Sequence, residues 1–238
     1  MGVANMDEQI QTLQRLIDES HFTLVITGAG ISVASGIPSM HGLNLAETLQ
    51  FASTSVLKLA PEHYYRVARH SFLDAIFESG PSLSHKKLAE LEEKGKVQGI
   101  ITTNLDNLHS LAGSKNVAEI QGSFAVNACL KCGKRNYDVN IWNQGKAPRC
   151  ECGGLYSCWP VYAHVGLYND DVPKAQEWAR KAELVIVVGA IGNYGRVYWT
   201  HIRSSAKFVQ INPRHTQFDS CSILNIRKKC DEVFAELE

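Results

Sequence analysis

The sequence predicts an α/β fold with a mostly parallel β-sheet. Four short apolar runs are near-continuous rather than alternating, which is typical of parallel strands covered on both faces. Helical patterns lie between or before these runs, and this alternation favours an α/β arrangement. The runs are Phe22–Thr27, Val97–Thr102, Leu184–Val188 and Lys207–Ile211.

The other elements follow from apolar spacing. Asp7–Ser20 carries apolar residues at intervals of three and four, so it predicts a helix, with Asp7 as a candidate N-cap. Ser84–Lys94 and Val172–Lys181 have the same helical pattern. Val117–Ile120 predicts a further short strand, which ends immediately before Gln121.

Two segments interrupt the alternation of strands and helices. Leu43–Phe77 has helical periodicity without a strand signal, and Asn127–Trp159 holds four paired cysteines. We expect both to be insertions that pack into one small module. The predicted sheet domain therefore comprises residues 1–38, 80–125 and 160–238, and the small helical and zinc-binding module comprises residues 39–79 and 126–159.

Composition excludes several classes of function. The 238 residues include 24 basic and 24 acidic side chains, so the formal net charge is zero and no nucleic-acid partner is indicated. The longest apolar run is too short to span a membrane. The N-terminus lacks the pattern of a signal peptide, so we expect a cytoplasmic protein.

A glycine turn, Gly28-Ala29-Gly30, directly follows the first predicted strand. Ligands of open parallel sheets bind beyond the carboxyl ends of the strands, and glycine lets the backbone approach a pyrophosphate. The alternative is a tight turn that binds no ligand, since Gly-x-Gly is also a common turn sequence. Val33 occupies the third glycine's place in the GxGxxG fingerprint, so an ordinary dinucleotide dehydrogenase is not supported.

Four cysteines form two close pairs, Cys129 with Cys132 and Cys150 with Cys152. Thiolate pairs on tight turns are the usual ligands of a tetrahedral Zn²⁺. Because the second pair is one residue shorter than the common spacing, Cys158 is an alternative ligand. Four thiolates leave no open coordination position, so we expect a structural rather than a catalytic zinc.

A second polar loop follows the strand predicted at Val97–Thr102. It places Asn104, Asp106 and His109 just beyond the strand, on the same rim as Gly28. These side chains could contact a ligand there, or they could simply form a turn that caps the next helix.

Taken together, these segments resemble the sirtuin family of NAD⁺-dependent protein deacylases. "GAGISVASGIP" matches the first family motif, "TTNLDNLHSLAG" resembles the second, and "IQGS" falls on the third. The cysteine pairs, with "PRCECGG", fall on the zinc module. "VVGAIG", "QIN" and "KKCDEVFAEL" resemble the later NAD-binding segments in order.

The resemblance implies a Rossmann-type NAD⁺ domain, a small domain with helices and zinc, and a protein or peptide acceptor. By motif match, Gly28, Ala29, Gly30 and Ser32 would line the pyrophosphate and nicotinamide side. Thr103, Asn104 and Asp106 would lie at the nicotinamide ribose, and His41 would lie in the cofactor loop. Gly189, Asn212, Cys230 and Asp231 would hold the adenosine half.

The sequence departs from the family pattern at several positions. Gln121 stands where the family has its catalytic histidine, Arg214 replaces a glutamate, and Ala190-Ile191 replaces Thr-Ser. Ser39-Met40-His41 and Val165-Gly166-Leu167 also differ from the usual residues. In the family mechanism the histidine takes a proton from a ribose hydroxyl, which an amide cannot do. Loss of such a base lowers the rate by roughly 10²–10⁴-fold.

We therefore expect a transferase that cleaves nicotinamide from NAD⁺, with Asn104, Asp106 and Gln121 as the catalytic-site residues. ADP-ribosyl transfer or NAD⁺ hydrolysis is favoured over efficient deacylation. One alternative is a deacylase in which His41, His109 or His164 acts as a substitute base. Another is a non-catalytic module that binds NAD⁺ or ADP-ribose.

Overall fold

The computed structural model describes residues 5–37, 50, 53–158, 171–192 and 201–238. Within these ranges the chain forms two β-sheets. The strands are β1 (Thr23–Thr27), β2 (Gly99–Thr102), β3 (Val117–Glu119), β4 (Asn127–Cys129), β5 (Arg135–Asn136), β6 (Tyr156–Cys158), β7 (Leu184–Val188), β8 (Lys207–Ile211) and β9 (Leu224–Ile226).

Helices precede or follow most of these strands. The α-helices of the described ranges are α1 (Met6–Glu19), α2 (Thr54–Leu59), α3 (Pro61–Ala68), α4 (Leu83–Glu93), α5 (Leu108–Leu111), α6 (Asp171–Lys181) and α7 (Cys230–Phe234). Two π-helical segments, Arg69–Leu73 and Ala75–Ser79, follow α3. Short 3₁₀ helices lie at Ala29–Ser35, Val139–Trp142 and Gln217–Ser220.

The larger sheet is entirely parallel, with the strand order β3-β2-β1-β7-β8-β9. This is the strand order of a Rossmann fold, in which the connections reverse direction between the two central strands. The reversal lies between β1 and β7. The predicted fold class is confirmed, and the carboxyl ends of all six strands meet at one edge.

Both faces of this sheet are buried, as the continuous apolar runs predict. One face packs against α1, α4 and α7, and residues such as Leu13, Leu88 and Phe234 join the core there. The opposite face packs against α6, which contributes Ala175 and Ala179. Small side chains on α6 allow the helix to lie close to the sheet.

The smaller sheet is antiparallel, in the order β5-β4-β6. Cys158 of β6 shares one core with α2, α3 and the π-helical segments, where Leu57, Tyr64, Phe124 and Trp142 are fully buried. Cys129 and Tyr156 of the same sheet form a smaller cluster with Cys150. The helical and cysteine-bearing segments thus pack together. The exact domain boundaries stay a prediction.

The structure corrects two details of the element predictions. Asn5, not Asp7, is the N-cap of α1: its side chain accepts from the N–H of Glu8, and the Glu8 carboxylate accepts from the N–H of Asn5. The edge strand β9 and the strands β4, β5 and β6 of the smaller sheet were not predicted, because each has only two or three residues and none is a continuous apolar run. Among the described helices, none has the length and apolarity that a membrane span requires.

Candidate active site

A cavity of about 670 Å³ opens at the carboxyl edge of the parallel sheet. Its volume lies within the usual range of small-molecule sites, and its position is the one at which parallel sheets bind ligands. The predicted site residues that line it are Gly28, Ala29, Gly30, Thr103, Asn104, Asp106, Gln121, Gly189, Asn212, Cys230 and Asp231. His41 lies outside the described residues.

A buried hydrogen-bond network fixes the polar residues beyond β2. The Ser32 hydroxyl donates to Oδ2 of Asp106 at 2.7 Å and accepts from Nδ2 of Asn104 at 3.1 Å. Nδ2 of Asn104 also donates to the Gly28 carbonyl, and Oδ1 of Asp106 accepts from the N–H of Leu108. The Asn104 amide and the Asp106 carboxylate are therefore held in place before any ligand binds.

Ser32 itself has a different place from the one predicted by motif match. Its side chain is fully buried, and it is not among the residues that line the described cavity. It lies behind Asn104 and Asp106 and joins the loop after β1 to the loop after β2.

The glycines of the first loop allow two strand ends to approach closely. A Cβ on Gly30 would lie 2.6 Å from the Cα of Gly189, and a Cβ on Gly28 would lie 2.9 Å from the Cα of Ala190. The N–H of Gly30 donates to the Gly189 carbonyl at 2.9 Å. The glycines thus hold the loops after β1 and β7 together and form the floor of the cavity.

Gln121 lies just beyond β3, is exposed, and lines the same cavity as Asp106. Two residues earlier, Glu119 is buried and accepts from Nδ2 of Asn107 at 3.2 Å. Burial raises the pKa of Glu119 to about 8. Asn107 has a left-handed backbone, with φ of 59°, and directly follows Asp106. Glu119 therefore supports the turn that carries Asp106.

His109 does not fit the role of a substitute base. It is 1% exposed, lies outside the cavity lining, and its Nε2 is 2.9 Å from the Thr27 hydroxyl. Its ring packs on that of His85, with 4.7 Å between centroids. Burial holds the pKa of His109 well below its usual value. The other candidate bases, His41 and His164, lie outside the described residues.

The far end of the cavity is formed by the segments that follow β8 and β9. Nδ2 of Asn212 donates to the Ala190 carbonyl, and Oδ1 of Asn212 accepts from the N–H of Arg214. Cys230 is buried, and Oδ1 of Asp231 accepts from the N–H of Ser84 at 2.9 Å. Sequence reasoning missed Lys229 and Glu232, which also line this end. Their position next to Cys230 and Asp231 could have indicated them.

The four paired cysteines converge in the small module. Their sulfurs all lie within 4.8 Å of one another, with 3.5 Å between Cys129 and Cys152 and 3.8 Å between Cys132 and Cys150. Tetrahedral Zn–S bonds of about 2.3 Å place sulfurs about 3.8 Å apart, so this cluster fits a structural Zn²⁺. The alternative ligand, Cys158, is buried instead against the Tyr64 hydroxyl.

A model described as the Sir2 family matches residues 28–195. The chain belongs to the Sir2 family. This confirms the resemblance to sirtuins, and the match contains the loops that carry Asn104, Asp106 and Gln121.

Individual Sir2-family proteins are similar over most of their length. An NAD-dependent protein deacetylase of Sulfurisphaera tokodaii is 32% identical, over 91% of this chain and 90% of that protein. NAD-dependent protein deacetylase 2 of Caldanaerobacter subterraneus subsp. tengcongensis is 37% identical, over 74% and 73%. A solved Sir2–p53 peptide–NAD⁺ complex is 30% identical, covers 95% of both chains, and superimposes with a TM-score of 0.77.

Proposed function

We propose that this Sir2-family chain cleaves nicotinamide from NAD⁺ and transfers the ADP-ribosyl group to a protein acceptor or to water, in preference to efficient deacylation. One observation carries the proposal: the cavity that holds Asn104 and Asp106 has an amide, Gln121, beyond β3. Because the similar Sir2 structure contains NAD⁺ and a peptide, we take these two as the substrate classes.

The cavity's own residues suit the first half of such a reaction. Bound NAD⁺ would supply the ribosyl–nicotinamide bond, and breaking that bond depends on orientation and charge placement more than on a base. Asp106 brings a fixed negative charge, and Asn104 brings an amide whose two N–H groups are already used within the protein. Gln121 can donate to and accept from sugar hydroxyls, but it cannot remove a proton from them.

A second candidate function is protein deacylation with another base. The names of the relatives favour it, since both are called deacetylases. The burial of His109 disfavours it, because that ring lies outside the cavity and resists protonation. His41→Ala would abolish deacylation if His41 were the base.

The test uses NAD⁺ labelled in the nicotinamide and in the adenosine half. We expect release of nicotinamide, with the ADP-ribosyl label on protein or in free ADP-ribose, and little acyl-peptide turnover. In the Gln121→His variant we expect deacylation to rise by roughly 10²–10⁴-fold, because a general base is restored.

Two results would contradict the proposal. Efficient deacylation by the unmodified protein would support the second candidate function. Calorimetric binding of NAD⁺ without any nicotinamide release would show a binding module instead.

A further inference from the structure

A fully buried glutamine, Gln210, lies near the end of the otherwise largely apolar strand β8. Its Nε2 donates to Oδ1 of Asp219 at 2.6 Å and to Oδ1 of Asn225 at 2.8 Å. Its Oε1 accepts from the hydroxyl of Thr216. A buried amide is costly when it lacks such partners, so Gln210 favours one arrangement of the chain that follows β8.

The carboxylate of Asp219 extends this network towards the surface. Oδ1 also accepts from the N–H of Thr216 at 3.0 Å. Oδ2 lies 2.6 Å from Nη2 of Arg227 and 2.6 Å from Nδ1 of His215. Hydrogen bonds, above all from Gln210 and next from His215, hold the pKa of Asp219 below its usual value. The carboxylate is therefore ionised at neutral pH and keeps its attraction for Arg227.

Arg227 connects the network to the cavity. Its Nη1 donates to the carbonyl of Arg214 at 3.4 Å, while its Nη2 is paired with Asp219. Arg214 lines the cavity, and its N–H donates to Oδ1 of Asn212, which lines the cavity as well. The cavity-lining segment 212–214 is thus held at one end by Asn212 and at the other by Arg227. Neither Asp219 nor Arg227 lines the described cavity.

The segment 212–214 lies far from the reacting end of the cavity. It follows β8, whereas Gln121 follows β3, and the strand order places four strand spacings between them. Adjacent strands lie about 4.8 Å apart, so the separation is about 19 Å. A displacement of the segment therefore changes how the far half of a ligand binds, and not the geometry around Asp106.

We propose that Asp219 and Arg227 are positioning residues for the adenosine half of NAD⁺, which act on the ligand through the backbone of Arg214. The resemblance to sirtuins assigns Asn212, at the other end of the same segment, to that half of the dinucleotide. The inference rests on the proposed function for its ligand, NAD⁺, and not for the fate of the ADP-ribosyl group.

The test measures the affinity of the intact protein for NAD⁺ and ADP-ribose by calorimetry. In Asp219→Asn the amide is a donor on one side, so it cannot accept from both Thr216 and Arg227. Arg227→Met removes the donor to the Arg214 carbonyl. We expect each change to raise both Kd values by about two- to thirtyfold, as for residues that modulate a site without touching its ligand. Steady-state kinetics should show the same rise in KM for NAD⁺ and an unchanged kcat for nicotinamide release.

A double variant and a matched control locate the effect. Asp219→Asn combined with Arg227→Met should lose no more affinity than one of the single variants, because both changes interrupt the same contact. Glu183→Gln is the control. Glu183 likewise pairs with a histidine and an arginine, His21 and Arg203, but it precedes β7 at the opposite edge of the sheet. Its change should leave both Kd values as they are, and thermal unfolding checks that every variant is folded at the assay temperature.

Affinity and turnover together separate this inference from the proposed function. Unchanged affinity in the single variants, additive losses in the double variant, or an equal loss in Glu183→Gln overturns the inference, as does a fall in kcat as large as the rise in KM. If the variants bind NAD⁺ more weakly as expected but the unmodified protein releases no nicotinamide, the inference stands and the proposed function fails. If nicotinamide is released and the variants bind NAD⁺ as tightly as the unmodified protein, the reverse holds. An absence of NAD⁺ binding by the unmodified protein overturns both.

Discussion

Ser32 is a small side chain on which two candidate catalytic residues depend. Its hydroxyl donates to Asp106 and accepts from Asn104, and it is fully buried behind the cavity. A motif comparison assigns such a residue to ligand contact, because sequence does not show which side of a loop a hydroxyl faces. Its position in the structure makes it a positioning residue.

We expect Ser32→Ala to lower kcat for nicotinamide release by about ten- to hundredfold, because a hydrogen bond to the Asp106 carboxylate is lost. Ser35→Ala is a matched control. Ser35 lies on the same 3₁₀ helix, is buried, and its Oγ has no hydrogen-bond partner in the described structure. Steady-state kinetics of the two variants checks this, and equal effects would mean that Ser32 only fills space.

Glu119 makes stability depend on pH. Burial raises its pKa from 4.5 to about 8, so the folded state binds this proton more tightly than the unfolded state. The stabilisation is fully present below about pH 4.5 and is lost as the pH rises towards 8. Each pKa unit is worth about 1.4 kcal/mol, so the loss is a few kcal/mol.

We therefore expect Glu119→Gln to flatten the fall in the free energy of unfolding between pH 5 and 8, since the neutral amide cannot ionise. Urea unfolding at several pH values measures this. Glu93→Gln, at an exposed position on α4, should retain the profile of the unmodified protein. A profile for Glu119→Gln that still falls steeply would show that another group is responsible.

At the scale of elements, the close approach of two loops shapes the cavity. The loops after β1 and β7 meet through Gly30 and Gly189, with a hydrogen bond between their backbones. Sequence predicts both loops, because each follows a continuous apolar strand. It does not show that the two glycines face each other, since that contact depends on β1 and β7 being neighbours in the sheet.

Gly30→Ala should separate these loops. The added Cβ would lie 2.6 Å from the Cα of Gly189, so the backbone must shift, at a cost of about 1–3 kcal/mol in stability. Dinucleotide affinity should fall as well. Gly192→Ala is the control, because its nearest neighbour is the flexible end of Gln217, at 3.3 Å. Thermal unfolding compares the stability of the two variants, and calorimetry compares their affinity for the dinucleotide. Equal stability would show that the Cβ added at Gly30 does not displace the backbone of Gly189.

At the scale of the whole molecule, topology decides which residues share the site. Polar residues after continuous apolar strands could be assigned to one rim from sequence, and Asn104, Asp106 and Gln121 do line one cavity. That Arg214 and Lys229 line the same cavity could not be predicted from the sequence, because β9 is not a continuous apolar run. Without that strand, only the resemblance to sirtuins places the segment after Ile226, with Cys230 and Asp231, beside Asn212 at the end of β8.

The zinc module and the active site are connected through a shared core. Phe124 donates its N–H to the Leu105 carbonyl, in the loop that carries Asn104 and Asp106. The Phe124 ring packs edge-on against Trp142, with 5.5 Å between centroids. Trp142 lies between the two cysteine pairs along the chain, so a Zn²⁺ held by the four cysteines would restrain the segment that contacts the loop of Asn104 and Asp106.

Removing the metal should therefore affect both stability and catalysis. We expect a strong chelator, or Cys129→Ser, to lower the melting temperature by more than about 5 °C and to reduce nicotinamide release, because structural zinc contributes directly to folding. Cys221→Ser is the control, since Cys221 is an exposed free thiol outside the cluster. Metal analysis with calorimetric melting measures the effect. Nicotinamide release that persisted after the zinc was lost and the small module unfolded would contradict this prediction. It would show that the contact between Phe124 and Leu105 does not couple the metal site to catalysis.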